Sequence, residues 1–461
     1  MAKSFSPLAD IFNPASVAVV GASETPGKVG YQILKNCLDQ GYQGKIYPVN
    51  PGSSEIFGVK AYPSIKDIPG NVDLVAIVVP NQAIPGVLED CGSKGVKGAI
   101  VYAGGFAECS AEGALLQKKI VETARANGIR MFGPNINGLF NADINLNLSF
   151  NQFQSLGGPA SIVSQSGGFS SAIVFQSLRQ GLGFGKFISL GNKGDLNEID
   201  ALNYLGEEPG TKVIAMYIES LDDEEKFIAV ARQLAKVKPI VAVKGGYTTA
   251  GIRTMQMNTG SLPSANPNLK EVFKKAGVLV AEGETDLVDA LVALSTQPPL
   301  RGNRIAICTN AGGPACISAD HCESLGLHLP VLSDETQEKL RKVIPKFGVA
   351  ANPVDFTGSV TKEMYWEAVN IVLRDEAIDG LICMAIRSTF TPVNVFTEPW
   401  IKAKALADQL GKPLLACMMG DAEIYKARDT LNLQGIPLYF TPERVAAAMS
   451  KLHDYNRIVH G

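Results

Sequence analysis

Histidine is scarce in this chain: four in 461 residues, at positions 321, 328, 453 and 460. A His-based metal centre is a poor expectation, and none of the eight cysteines forms a CxxC pair that could supply sulfur ligands instead. Cysteines scattered through apolar or Gly-rich stretches serve as small hydrophobes, as in a reducing compartment. Charge is also sparse, at 19% charged residues and a net −3. That balance argues against nucleic acid as a partner, because polyanion binding needs a basic surface. Any phosphate must be held by local loops and helix ends. No stretch reaches the roughly 20 apolar residues of a membrane span. The opening Met1-Ala-Lys-Ser-Phe-Ser-Pro7 lacks the apolar core of a signal peptide. Together these absences predict a soluble, cytoplasmic protein without a metal site.

What is present is apolar: 46% of residues are hydrophobic, enough for several cores. One pattern occurs three times. A short β-branched run meets a Gly-containing turn and a helix-compatible segment comes next, at Ser16–Ser23, Ala160–Phe169 and Arg304–Pro314. Apolar runs alternating with helices indicate parallel sheets covered on both faces. Further strands are expected at Lys45–Val49, Leu74–Val79, Gly98–Tyr102 and Arg130–Phe132, then at Phe187–Leu190, Val213–Ile218 and Ile240–Val243, and last near Gly380–Ala385, Pro413–Met418 and Leu438–Phe440. The expected fold is α/β, with three doubly wound parallel-sheet domains. The Pro-rich Thr296–Gly302 reads as a linker, and a second boundary falls near Asn151–Pro159. The domains are therefore placed at 1–150, 151–297 and 300–461.

Ligands of such sheets bind at the carboxyl ends of the strands, where backbone N–H groups and helix dipoles favour anions. Gly21-Ala22-Ser23 ends the first strand but lacks a full GxGxxG, so a conventional NAD site is not supported. Lys45 to Asn50-Pro51, Val79-Pro80, Gly104-Gly105 and Gly133-Pro-Asn135 put small residues, Asn and Pro at the remaining ends, which suits a nucleotide-like ligand. Ser164-Gln165-Ser166-Gly167-Gly168 is the more specific loop. It forms a phosphate cradle, yet it is not a Walker A because no Lys-Ser/Thr comes after it. Asn310-Ala-Gly-Gly-Pro314 has the same form with no charge nearby, which reads more simply as helix packing.

These loops, in order with Gly191-Asn192, Glu219-Ser220, Lys244-Gly-Gly246, Asn258–Leu262 and Asn352-Pro-Val-Asp355, resemble the α subunit of the ADP-forming acyl-CoA ligases of the succinyl-CoA synthetase superfamily. The resemblance spans nearly the whole chain. It implies a Rossmann-like CoA-binding domain followed by two flavodoxin-like ligase domains. It also implies CoA held by the first domain, and ATP with Mg on a separate ATP-grasp β subunit in an α2β2 assembly. By the same resemblance Ser166, Gly167, Gly168 and Glu219 belong to the catalytic loop set, with Gln165 and Asn192 beside the substrate.

One departure matters. The family carries a phosphorylatable His where this chain has Asn258, and an amide nitrogen is not nucleophilic. Either the chain is a catalytically inactive CoA- or acyl-CoA-binding regulator, or ligation proceeds through an acyl phosphate without this His. Lys193, Arg253 and Arg387 suggest a roomier cationic pocket for a dianionic acid such as sulfoacetate, although Arg253 fits the general family pattern. Solvated surface is the competing reading of all three cations.

Overall fold

The computed structural model describes residues 8–153, 157–259, 268–388 and 391–461, the side chains of 257–259 excepted. The chain divides into two compact units, one running to residue 280 without 179–181, the other containing 179–181 and 281–461. The first unit holds two large sheets and the two-stranded ribbon Glu55–Ile56/Val59–Lys60, and the second unit holds one large sheet.

In the first sheet, strand Ser16–Val20 lies between Lys45–Val49 and Leu74–Ile77, followed by Gly98–Val101 and Arg130–Phe132, all parallel. Numbered along the chain, the order is 2-1-3-4-5. The first and third strands are buried at every residue, as expected where helices cover both faces. In the second sheet Ala160–Ser164 sits between Phe184–Ser189 and Val213–Ile218, with Ile240–Lys244 and Leu279–Val280 beyond. In the third, Ile305–Thr309 sits between Val354–Asp355 and Gly380–Ile386, then come Leu414–Met419 and Leu438–Tyr439. Counted over their parallel strands, both repeat the 2-1-3-4-5 order, and Val349–Ala350 adds an antiparallel edge to the third. Each opening strand therefore ends at the point where connections diverge to the two faces, which is where α/β sheets open a ligand crevice.

In two places the packing crosses the limits drawn from the sequence. Gly138–Asn141 and Leu146–Ser149 form a hairpin that extends the second sheet, pairing antiparallel with Phe184–Ser189. Residues 138–149 thus belong structurally to the second sheet, not to the first. Burial explains this: Leu139, Phe140, Leu146 and Leu148 are all interior, and Phe153 packs 5.5 Å from Phe187 and 6.2 Å from Phe140. Helix Val29–Asp39 covers the hairpin, with Asn36 Nδ2 donating to Ser149 O at 2.7 Å. The second difference is helix Glu284–Thr296, which joins the third sheet's unit. Asp289 anchors it there, accepting from Arg444 Nε at 2.7 Å and from a second Arg444 nitrogen at 2.6 Å. The Tyr439 hydroxyl donates to Asp289 O at 3.0 Å.

Burial pushes the Asp289 carboxyl up and the Arg444 guanidinium pulls it down. Removing one partner strands the other's charge in a poorly solvated site. Asp289→Ala is expected to destabilise the second unit by about 3 kcal/mol, seen as an earlier denaturant transition, while Asp286→Ala at the more exposed edge costs less than ~1 kcal/mol.

Candidate functional site

At the first sheet's carboxyl edge Gly21 takes φ +93°, and a Cβ there would lie 2.5 Å from the Val78 carbonyl oxygen. Only glycine lets this turn approach the neighbouring strand so closely. A cavity of about 530 Å³ opens beside it, lined by Gly21, Lys28, Val79, Tyr102, Gly104 and Phe150. A second, of about 290 Å³, shares Gly21 and Val79 with it and is lined by Asn50, Pro51, Ser64, Val87 and Asp90. Asn50 shapes it by donating to Ala22 O at 2.8 Å and accepting from Gly52 N at 2.8 Å. Ala22 and Ser23 are buried, and Pro80 begins the short turn Asn81–Ala83. Asn81 Nδ2 donates to Gly105 O at 3.0 Å. Lys45 departs from expectation: it starts its strand in register with Ser16, so it stands at the amino edge, away from the cavities. Lys28, at the amino end of helix Val29–Asp39, is the cation that lines the crevice instead.

The loop after Arg130–Phe132 is joined to the loop after Phe184–Ser189. Asn192 N donates to Pro134 O at 3.0 Å, and Gly194 N donates to Gly133 O at 2.9 Å. Gly191 takes φ +56° against the Asn135 carbonyl, while Asn135 and Lys193 are left-handed at +58° and +54°. Asp195 fastens the junction. Its buried carboxylate accepts from Arg125 Nε, Arg130 Nε and Met131 N, each at 2.9 Å. Asn135 Nδ2 donates to Asn192 Oδ1 at 3.2 Å.

The Gly-rich loop ends strand Ala160–Ser164 and opens helix Gly167–Arg179. Ser166 Oγ accepts from Phe169 N at 3.3 Å, a helix-start bond. Gly167 packs on Asn137, where a Cβ would come within 2.6 Å of the Asn137 Cβ, but a Cβ on Gly168 would meet nothing within 4 Å. Asn137 Nδ2 donates to Gly167 O and Ser171 Oγ, both at 2.8 Å, and Asn151 Nδ2 reaches the same hydroxyl at 2.7 Å. The exposed Gly168 therefore rides on a loop whose underside is fixed by hydrogen bonds.

Gln165 is not available to a substrate through its carbonyl oxygen. It is 1% exposed, and that oxygen accepts from Glu219 N at 2.6 Å and Ser220 N at 3.1 Å. Gln165 thus clamps the next strand's loop. Glu219 is buried beside Tyr217, whose hydroxyl is pushed well up by burial and then by this carboxylate. Lys244 Nζ donates to Glu219 O at 2.8 Å, and burial lowers its pKa.

The cationic-pocket expectation meets a correction at Lys193. Its side chain is 4% exposed, and Nζ is 3.2 Å from Glu198 Oε2, 3.1 Å from Asp222 Oδ1 and 2.9 Å from Ser220 O. This ammonium is consumed inside the protein, where it joins two loops. Burial pushes the Glu198 carboxyl up, and Lys193 opposes the shift. Arg387, in the second unit, is engaged by the carboxylate of Asp421. Arg253 is exposed on helix Thr249–Thr259. Asn258 falls in the last turn of that helix, not in a loop, and its side chain lies outside the described residues. Among the described residues no group of three His, Cys, Asp or Glu is placed to hold a metal.

Sequence reading misses Lys28, Glu108, Asn137, Asn151 and Asp195. Asn137 and Asp195 stand inside the Gly133–Gly138 and Gly191–Asp195 turns, so spacing alone marks them. Glu108, Asn151 and Lys28 carry no such signal.

Three family models match in succession: a CoA binding domain over residues 15–141, a succinyl-CoA ligase-like flavodoxin domain over 157–294 and a ligase-CoA domain over 305–460. The chain is 41% identical over 454 residues to the acetate–CoA ligase [ADP-forming] II subunit alpha of Pyrococcus furiosus, covering 98% of both. It is 39% identical to the acetate–CoA ligase [ADP-forming] of Methanocaldococcus jannaschii across 96% of this chain, which spans 62% of that longer protein. The dinucleotide-forming acetyl-coenzyme A synthetase 1 of Ca. Korarchaeum cryptofilum, solved with phosphate and ADP, superposes with a TM-score of 0.91 at 35% identity, covering 98% of this chain and 97% of that one. Fold, loop order and these matches agree: the chain belongs to the α-subunit family of ADP-forming acyl-CoA synthetases.

Proposed function

We propose that this chain is the CoA-binding subunit of an acid–CoA ligase that forms ADP, acting with an ATP-grasp partner, as two copies of each, on a small carboxylic acid. One observation carries the reading. Within a single compact unit, the first sheet's crevice and the second sheet's Gly-rich loop are bridged by the interlocked loops at 133–137 and 190–195. A thiol carrier and a phosphoryl cradle are thereby joined by rigid backbone, which is what a two-step acyl transfer requires.

In the proposed reaction the acid's carboxylate oxygen attacks the terminal phosphoryl group of ATP, and ADP leaves. The CoA sulfur then attacks the carbonyl carbon of the acyl phosphate; the C–O bond to phosphate breaks, and the thiol proton is carried off with phosphate. The N–H groups of Gly167 and Gly168, at the start of a 13-residue helix, would stabilise the equatorial phosphoryl oxygens. Ser166 shapes the turn, and Glu219 is held at its edge by Gln165 and Lys244. The adenine-bearing end of CoA would occupy the crevice at Gly21, Asn50 and Val79, with Lys28 near its phosphates. Asn258 cannot carry phosphate covalently, so transfer is direct or uses a side chain of the partner.

Because Lys193 and Arg387 are internally paired, the acid is proposed to be a monocarboxylate, as in the acetate ligases this chain is similar to. The test is ADP release by this chain with its partner, ATP, CoA and a panel from acetate through succinate and malonate to sulfoacetate. CoA-dependent turnover with monocarboxylates is expected. Turnover confined to dianionic acids would reinstate the cationic pocket. Acyl-CoA binding with no turnover on any acid would make the chain a regulator.

Gly168→Ala separates chemistry from folding. Its Cβ meets no neighbour, so the free energy of unfolding is expected to change by less than ~1 kcal/mol. The added methyl would stand where the phosphoryl group binds, and kcat is expected to fall by roughly 10²-fold.

A further inference from the structure

The loop Ala103–Phe106 comes after strand Gly98–Val101 and contributes Ala103 and Gly104 to the larger crevice. Glu108 folds back beneath it. One carboxylate oxygen accepts from Gly105 N at 2.7 Å and Phe106 N at 3.2 Å, so two of this loop's N–H groups are tied to one side chain. The other oxygen accepts from Asn192 Nδ2 at 2.5 Å. Gln117 Oε1 takes a second bond from the same nitrogen at 3.0 Å. Both Asn192 amide hydrogens are thus directed at acceptors. Its oxygen is forced to the opposite side, where Asn135 Nδ2 donates at 3.2 Å.

An Asn amide is otherwise ambiguous, because its oxygen and nitrogen ends are nearly the same shape. A carboxylate is acceptor-only and removes that ambiguity. We propose that Glu108 is a positioning residue that ties the CoA-facing loop Ala103–Phe106 to the Asn192 amide. Ordering of that loop by CoA is thereby passed to the loop Leu190–Leu196, and the amide oxygen is held towards Asn135, beside the acyl-transfer site. This rests on the CoA-ligase reading above and adds the coupling between its two half-sites.

The chemistry of the contact supplies a selective test. In Glu108→Gln the amide oxygen must stay on Gly105 N and Phe106 N, so an NH2 group faces the Asn192 NH2. Two donors then oppose each other, and a flip of Asn192 moves the same mismatch onto Asn135. In Glu108→Gln with Asn192→Asp the donor and acceptor are exchanged, and complementarity returns at unchanged total charge once the Gln117 amide turns its nitrogen towards residue 192.

Hydrogen exchange on the full chain, with and without CoA, is expected to show protection of 103–106 and of 190–196 in the native protein. In Glu108→Ala, where Gly105 N and Phe106 N lose their acceptor and exchange faster without ligand, the CoA-dependent gain in protection is expected to vanish at 190–196 and to persist at 103–106. In the complex with the partner, Glu108→Gln is expected to lower kcat/KM for the acid by about tenfold or more. The CoA dissociation constant should stay within about twofold, and the exchange Glu108→Gln with Asn192→Asp should recover most of the loss. Protection of 190–196 that persists in Glu108→Ala, or a Glu108→Gln enzyme with native kcat/KM, overturns the coupling while leaving the ligase reading intact. No CoA-dependent protection anywhere overturns both. A Glu108→Gln chain that loses activity but is not rescued by Asn192→Asp shows a structural role only and also overturns the proposal.

Discussion

The geometry of this protein depends on one buried carboxylate. Asp195 accepts from two guanidiniums and one backbone N–H, all at 2.9 Å, and so joins strand Arg130–Phe132 and helix Ala111–Ala126 to the loop after Phe184–Ser189. An acceptor saturated in this way is strongly directional, because each bond is charge-assisted or made in a site water barely reaches. The surrounding backbone is aligned by it. Leu196 N pairs with Met131 O at 3.1 Å, Gly194 N with Gly133 O, and Asn192 N with Pro134 O. Two sheets that would otherwise meet only through side-chain packing are stitched by main chain along this seam.

That stitching lets short loops carry chemistry. Each of the three sheets uses the same strand order, and each opening strand ends in a Gly-containing turn. In the first the turn makes room for a ligand beside Gly21; in the second it exposes Gly168 at a helix start. In the third, Asn310 spans to the neighbouring strand, its side chain exchanging two bonds of 2.9 Å with Ile386. One architecture thus yields a crevice, a cradle and a braced edge, according to which side chains occupy the turn.

Much of this is legible in the sequence because periodicity and glycine punctuation report backbone geometry directly. The three openings, nearly every parallel strand and the Gly-rich turn that opens helix Gly167–Arg179 can be read from apolar runs and turn residues. Partnership cannot. Lys193 in a Gly-rich loop reads as a free cation, since its second partner, Asp222, comes from another strand's loop 29 residues on. Gln165 looks like a ligand donor until Glu219 N and Ser220 N are seen to occupy its oxygen. Lys45 fails for a simpler reason: a strand has two ends, and composition does not say which one faces the ligand. The hairpin at 138–149 escapes a sequence reading because each strand has only four residues, and the alternating Leu146-Asn-Leu-Ser149 buries its polar residues too, with Ser149 Oγ donating to Asn147 Oδ1 at 2.7 Å.

That hairpin bears on how such chains can be cut and recombined. Its residues come after the CoA-binding segment in sequence yet complete the edge of the next sheet, under a helix from the first segment. A gene break near residue 150 would strip the second sheet of its antiparallel border and lay bare the Phe140, Phe153 and Phe187 cluster. Near residue 280 the compact units separate instead. Fusion and fission events that preserve folding are therefore confined to the later junction, and the first two segments should be inherited as a single block.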